Sequence, residues 1–300
     1  LAEAWYQASI PLPFGGFKPN SREKLELTFG KMDIFGFFDQ NTAAGDESRQ
    51  FLNSVFVHNP LLDAGGEVAV DANGFQPGFI AAYVNDTNKA EPWKVSLGFF
   101  GAGELGASYQ KSFDSPLAML QAEKRLRLFG GLPGNYRAYA WHRSDVPEWD
   151  GTRSATHTGV GFSVDQRVGD GITLFGRYGK LTKGQLPFDQ ALSAGAEING
   201  SYWGRGGDTI GVGGSWLRAS HEYRQPGFAS GCLGRDSDDN CTGAFNYNAS
   251  GAEKVAEIYY RYRISPQFDL TPDFQWIGRP GANPGADSVK VISLRANVAF

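Results

Sequence analysis

The chain has 300 residues, with 28 Lys and Arg against 32 Asp and Glu and a formal net charge of −4. This balance leaves no basic stripe for nucleic acid and no lysine-rich face for anionic lipid. Hydrophobic residues make up 41% and mean hydropathy is −0.35. No run approaches the roughly 18 apolar residues of a membrane helix, which excludes helical spanning but not a β-barrel, where only alternate residues face lipid.

Alternating segments of about ten residues follow one another along the chain, divided by Gly, Pro, Asn and Asp. Successive side chains of a strand point to opposite faces, so each segment has a greasy face and a wet one. The first covers 2–12, with Ala4, Tyr6, Ala8 and Ile10 on one side and Glu3, Trp5, Gln7 and Ser9 on the other. The second covers 24–31, with Leu25, Leu27 and Phe29 outward. Residues 33–73 have no strand period; a short helix is expected over 46–57, capped by Asp46 or Ser48. Strand signals return at 78–85, 93–100, 117–129, 135–143, 157–168, 172–181, 190–200, 209–219, 253–264, 268–278 and 289–300.

In the last segment Ile292, Leu294, Ala296, Val298 and Phe300 alternate with Ser293, Arg295 and Asn297. A terminal aromatic on the greasy face is the pattern of the closing strand of an outer-membrane barrel. Short turns such as Gly169-Asp170-Gly171 alternate with long loops such as 144–156, 182–189, 220–252 and 279–288. That asymmetry gives one short rim and one long rim. The fold predicted is therefore all-β, a single antiparallel transmembrane barrel domain over 1–300. It has about thirteen strands, an odd count where bacterial single-chain barrels have even ones. A soluble propeller or sandwich needs a repeat of fixed length, and none is present.

The wet faces define the lumen. They hold Glu257, Tyr259, Arg261 and Arg263 on one strand, Asp269, Thr271, Asp273 and Gln275 on the next, and Arg295 and Asn297 on the last. Earlier strands add Arg177, Asp165, Arg167, Glu197, Glu123, Arg125 and Arg127. Rows of Arg beside rows of acid offer a polar solute both donors and acceptors; the same rows also serve as an unselective, solvated wall. Trp5 sits on the wet face, where its ring offers a stacking surface to a solute, or else it is an interfacial residue. Trp93, Trp141, Trp203, Trp216 and Trp276 are expected in girdles near the rims.

Cys232 and Cys241 lie close together in a polar stretch, and a short disulfide loop in an oxidising compartment is the expected use. A metal pair would need further ligands, and no His or third Cys is near in sequence. Gly101-Ala-Gly103-Glu-Leu-Gly106 has the spacing of a dinucleotide loop but no helix pattern after it. Asp236-Ser-Asp238-Asp-Asn240 begins like a calcium loop and lacks its Gly and its closing Glu. No cofactor is expected, and no nucleophile elbow is present.

Several runs, in order, resemble the carbohydrate-selective porin family (OprB-type). They are Phe29-Gly30-Lys31-Met32-Asp33, Phe38-Asp39-Gln40-Asn41, Asp46-Glu47-Ser48-Arg49-Gln50-Phe51-Leu52-Asn53 and Asn59-Pro60, then residues 257–263 with Ser265-Pro266, and residues 270–276. The resemblance covers nearly the whole chain. It implies a sixteen-stranded outer-membrane barrel passing sugars, mainly monosaccharides, without catalysis. Roughly three strands would precede the segment matching Leu1, so the N-terminal strands are expected to be missing from this chain. A loop as long as residues 34–73 is usually functional, and in porins such a loop folds inward and narrows the pore, which puts Asp39, Asn41, Asp46, Glu47, Arg49 and Asn53 at the constriction. An outward lid pinned by Phe51, Leu52, Val55 and Phe56 is the other use for such a loop. The expected partners are small sugars and outer-membrane lipid, with a homo-oligomer as an option.

Overall fold

The structure is a computed structural model that describes residues 3–16, 18, 20–62, 75–101, 113–147, 154–184, 186–224 and 247–299. Its strands are β1 (Ala4–Pro11), β2 (Glu23–Met32), β3 (Gln76–Asn85), β4 (Trp93–Phe100), β5 (Leu117–Leu128), β6 (Leu132–Pro147), β7 (Ser154–Gly169), β8 (Ile172–Lys183), β9 (Phe188–Asn199), β10 (Thr209–Ala219), β11 (Ala252–Ser265), β12 (Phe268–Gly278) and β13 (Val289–Val298). They form one 13-stranded sheet in sequence order, so every segment predicted from alternation is a strand. β6 and β7 run several residues further towards the long rim than their alternation suggested. The sheet is a chain of antiparallel hairpins with β1 and β13 as its two edges.

Turn chemistry sets the short rim. The β5–β6 turn passes through Phe129, Gly130 and Gly131, all at positive φ, and the β7–β8 turn through Gly171 at φ 76°. A Cβ on Gly171 would run into Asn199 at 2.7 Å, so this turn needs glycine for both conformation and space.

Register sorts the two faces. Val212, Ile258, Phe274 and Ile292 stand side by side on β10 to β13, and Phe29, Phe79 and Phe99 on β2 to β4. All of these are exposed, Ile292 by 85%, and so is Leu294 further along β13, by 68%. A water-soluble protein would not leave so continuous an apolar surface bare; a bilayer requires it. The opposite face is polar, with Glu257, Thr271 and Asp273 buried inside the sheet.

What buries them is the β2–β3 connection. Ile34, Phe38, Phe51, Phe56, Leu61 and Leu62 form a core with Phe100, Leu117, Met119, Tyr139, Trp141, Phe175 and Tyr259 of the wall. Each large side chain taken out of water there contributes about 1.5–3 kcal/mol. The outward-lid arrangement is thus excluded for residues 33–62, while 63–73 lie outside the described residues.

The expected helix over 46–57 is only one turn, α1 (Ser54–Val57), capped by Asn53, whose side chain accepts from the Val55 N–H. Asp46 instead closes a tight turn on Ser48. The N–H groups of Leu52 and Asn53 go to the Glu257 carboxylate of β11, so no helix can run through them. Trp141 is not a girdle residue. It is 1% exposed and points inward, above Gly159, where a Cβ would meet its ring at 2.1 Å. Phe300, the cysteine pair, the Gly101–Gly106 spacing beyond Gly101 and the calcium-like run lie outside the described residues.

Candidate functional site

The inward loop is fastened to the wall by side chains whose partners are far away in sequence. Arg177 of β8 is the principal one. Its Nε lies 3.1 Å from the Asp39 carboxylate, and its Nη atoms donate to the carbonyls of Asp39, Ala44 and Phe56. Asp39 also accepts from the Tyr139 hydroxyl at 2.9 Å and from the Asn59 N–H at 2.7 Å. Both side chains of this ion pair are all but inaccessible to solvent. A buried carboxylate needs this many donors to stay ionised without a prohibitive desolvation cost.

Further ties surround that pair. The Asp33 N–H reaches Glu3, just before β1, and the Asp39 N–H reaches Gln121 of β5. Asn41 and Thr42 bind Ser163 and Asp165 of β7. Gln50 donates to Glu197 of β9, and Asn53 to Gln275 of β12. Arg295 of β13 donates to the carbonyls of Glu47 and Gln50. The wall also makes room by glycine: a Cβ on Gly98 would strike Phe38, and one on Gly213 would strike Phe56 and Phe51.

One edge of the loop stays open. Thr42, Glu47, Ser48 and Arg49 are exposed, and Gln40 and Asp46 partly so. Beside them lies a polar pocket of about 370 Å³, whose lining includes Asp33, Gln40, Thr42, Glu47, His58 and Arg137. That volume is in the range of small-molecule sites. Arg137 continues into a ladder of alternating charge on the wall. It reaches Glu123 at 3.2 Å and Asp165 at 2.9 Å, with Lys94 4.0 Å beyond Glu123. Burial raises the Asp33 carboxyl to about 6, although the Phe35 N–H opposes it; Glu3 and Glu47 add to the rise. Burial likewise lowers the His58 imidazole to about 3, helped by Arg177. His58 stacks on Phe35, ring centres 3.9 Å apart, and is a neutral packing group.

The predicted lumen residues fall into distinct places. Asp39, Asn41, Asn53, Glu257 and Arg295 hold the loop to the wall. Asp46, Glu47 and Arg49 are on its open edge. Asp273 is buried beside Gln275 and Ser293. Trp5 faces the loop and meets Phe37 edge-on at 5.5 Å. Arg261 and Arg263 lie apart from the loop, towards the short rim: Arg261 donates to Thr209, and the Arg263 N–H to Asp208. Gln50, Asn59, Gln121, Arg137 and Tyr139 were not singled out from sequence. Their parity on the strands marks Gln121, Arg137 and Tyr139 as inward, but only the loop's path gives them partners.

A wall of hairpins with a bare apolar belt outside and a polar interior occupied by the first long loop defines an outer-membrane porin. The chain belongs to the carbohydrate-selective porin, OprB family, whose model matches residues 1–300. It is therefore an outer-membrane protein that passes carbohydrate. A high-pH structure of Pseudomonas putida OprB is similar with a TM-score of 0.74 at 18% identity, over 99% of this chain and 72% of that one. A low-pH structure of the same protein gives 0.52 at 16% identity, over 92% of this chain and 62% of that one. No curated protein sequence matches this one.

Proposed function

We propose that monosaccharides cross this pore passively, down their gradient, through a constriction between the open loop edge and the charged ladder of the wall. Gln40, Thr42, Glu47 and Arg49 supply one side; Arg137, Glu123 and Lys94 supply the other. Each hydroxyl contact is worth about 0.5–1.5 kcal/mol net, which favours entry yet lets the solute leave. No bond is made or broken and no cofactor takes part. The observation that carries this proposal is the loop itself: residues 33–62 pack on the inner face of the wall, are tied to it from Glu3 to Arg295, and leave a polar edge free. We further propose that additional strands pair with the edges of β1 and β13, because a bilayer offers no water to their open backbone groups. Liposome swelling with glucose, against a zwitterionic amino acid of equal size, tests the proposal. Faster swelling with glucose is expected. No swelling with either solute refutes a pore, and equal rates refute selection by anything but size.

A further inference from the structure

The charge balance of the whole chain hides a local gathering of cations on the bilayer side of the wall. It lies at the long-rim ends of β10, β11 and β12, at the rim that faces the cell exterior in such barrels. Trp216 of β10 stands opposite Lys254 of β11, and Lys254 opposite Gly278 of β12. The Trp276 indole fills the space a side chain on Gly278 would need, since a Cβ there would lie 2.4 Å from the ring. Lys254 therefore has an indole-bearing neighbour on each side. Arg218, Arg224 and Arg279 complete a groove of about 620 Å³, and among the described residues no carboxylate lines it.

Arg218 is already neutralised, its Nε and Nη2 each 2.8 Å from Asp189. Lys254, Arg224 and Arg279 have no ion-pair partner among the described residues. Arg279 holds a left-handed backbone, φ 55°, which residues with a side chain rarely adopt. Tryptophan marks headgroup depth in a bilayer. Cations with no ion-pair partner among the described residues attract anionic headgroups at that depth, and guanidinium and ammonium together suit phosphate.

We propose that this groove binds the phosphate of an anionic, phosphorylated glycolipid of the outer leaflet, with Lys254, Arg279 and Arg224 on the phosphate and Trp216 and Trp276 flanking it. The site lies outside the lumen, so it stands or falls independently of sugar passage.

Native mass spectrometry of the detergent-solubilised protein, titrated with bisphosphoryl lipid A or with the same lipid stripped of phosphate, tests this. The variant is Lys254→Gln with Arg279→Asn, Asn being tolerant of the left-handed backbone. The wild type is expected to retain the bisphosphoryl lipid and release the stripped one. The variant should bind about thirtyfold more weakly, two basic side chains at a membrane surface being lost. Its thermal melting and glucose flux should be unchanged, which shows that the barrel is intact. Equal affinity in wild type and variant overturns the proposal. So does equal retention of the stripped lipid, which would leave only acyl-chain contact. Displacement by inorganic phosphate as effective as by the lipid overturns the lipid assignment.

Discussion

Replacing Arg177 with Met keeps the length of the side chain and removes its charge and donors. Asp39 then keeps only Tyr139 and Asn59 as donors in a site closed to solvent. Breaking a buried ion pair by removing one partner costs about 3–5 kcal/mol. The orphaned carbonyls of Asp39, Ala44 and Phe56 add about 1 kcal/mol each. That sum is comparable with the net stability of a small domain, and it falls on the loop alone, since the ladder of strands does not use the Arg177 side chain. The loop should therefore leave the wall while the barrel stays folded. Single-channel recording in planar bilayers should show conductance several-fold higher than wild type, and protease should cut within 33–62. Adding Asp39→Asn should restore part of the protection, because the stranded charge is gone. Wild-type conductance together with an uncut loop in Arg177→Met would refute this placement of the anchor.

Glu257→Gln leaves the N–H groups of Leu52 and Asn53, which bind one carboxyl oxygen each, with a single amide oxygen between them. Amide exchange of those groups should report a local loss of about 1–2 kcal/mol. Asp33→Asn should act in the opposite sense. The folded carboxyl sits at about 6 against an ordinary value of 3.8, so in the wild type the loop loses stability as pH rises from about 4 to 6. The variant should lack that dependence and hold the loop about 1–2 kcal/mol more firmly at pH 7, as read by proteolysis across pH. Gly213→Val should displace Phe51 and Phe56, whose rings lie 2.9–3.0 Å from the added Cβ, and release the α1 end of the loop at a cost of about 1–3 kcal/mol. Arg49→Glu should leave thermal stability within about 0.5 kcal/mol but shift reversal potentials in a salt gradient towards cation preference; an unchanged potential would remove Arg49 from the ion path.

The strands were legible because a wall between oil and water enforces alternation at every position. Ile292, Leu294 and Val298 against Ser293, Arg295 and Asn297 is that rule in its plainest form. The same parity puts Trp141 with Arg137 and Arg143 on the inner face, a signal overridden by the general preference of tryptophan for the rims. What alternation cannot reveal is how inward charges are used. Arg177, Glu257 and Arg295 look like solute contacts from their own strands, yet each is tied to loop atoms more than a hundred residues away. Two sequence signals point to the buried loop: the apolar content of Phe35, Phe37, Phe38, Phe51 and Phe56 in a segment without strand period, and inward glycines such as Gly98 and Gly213 that clear space on the wall. The helix was over-extended because Asp46 and Ser48 look like caps, whereas the backbone of Leu52 and Asn53 is claimed by a carboxylate across the lumen.

The most direct measurement on the central claim is polymer exclusion. Channel conductance is recorded with neutral polymers of graded size, for the wild type and for a variant in which residues 36–58 are replaced by a short Gly-Ser linker. The wild type should exclude all but the smallest polymers, and the shortened variant should admit larger ones and conduct better in the same bilayer. An identical cut-off in both would mean that the segment does not set the width of the pore.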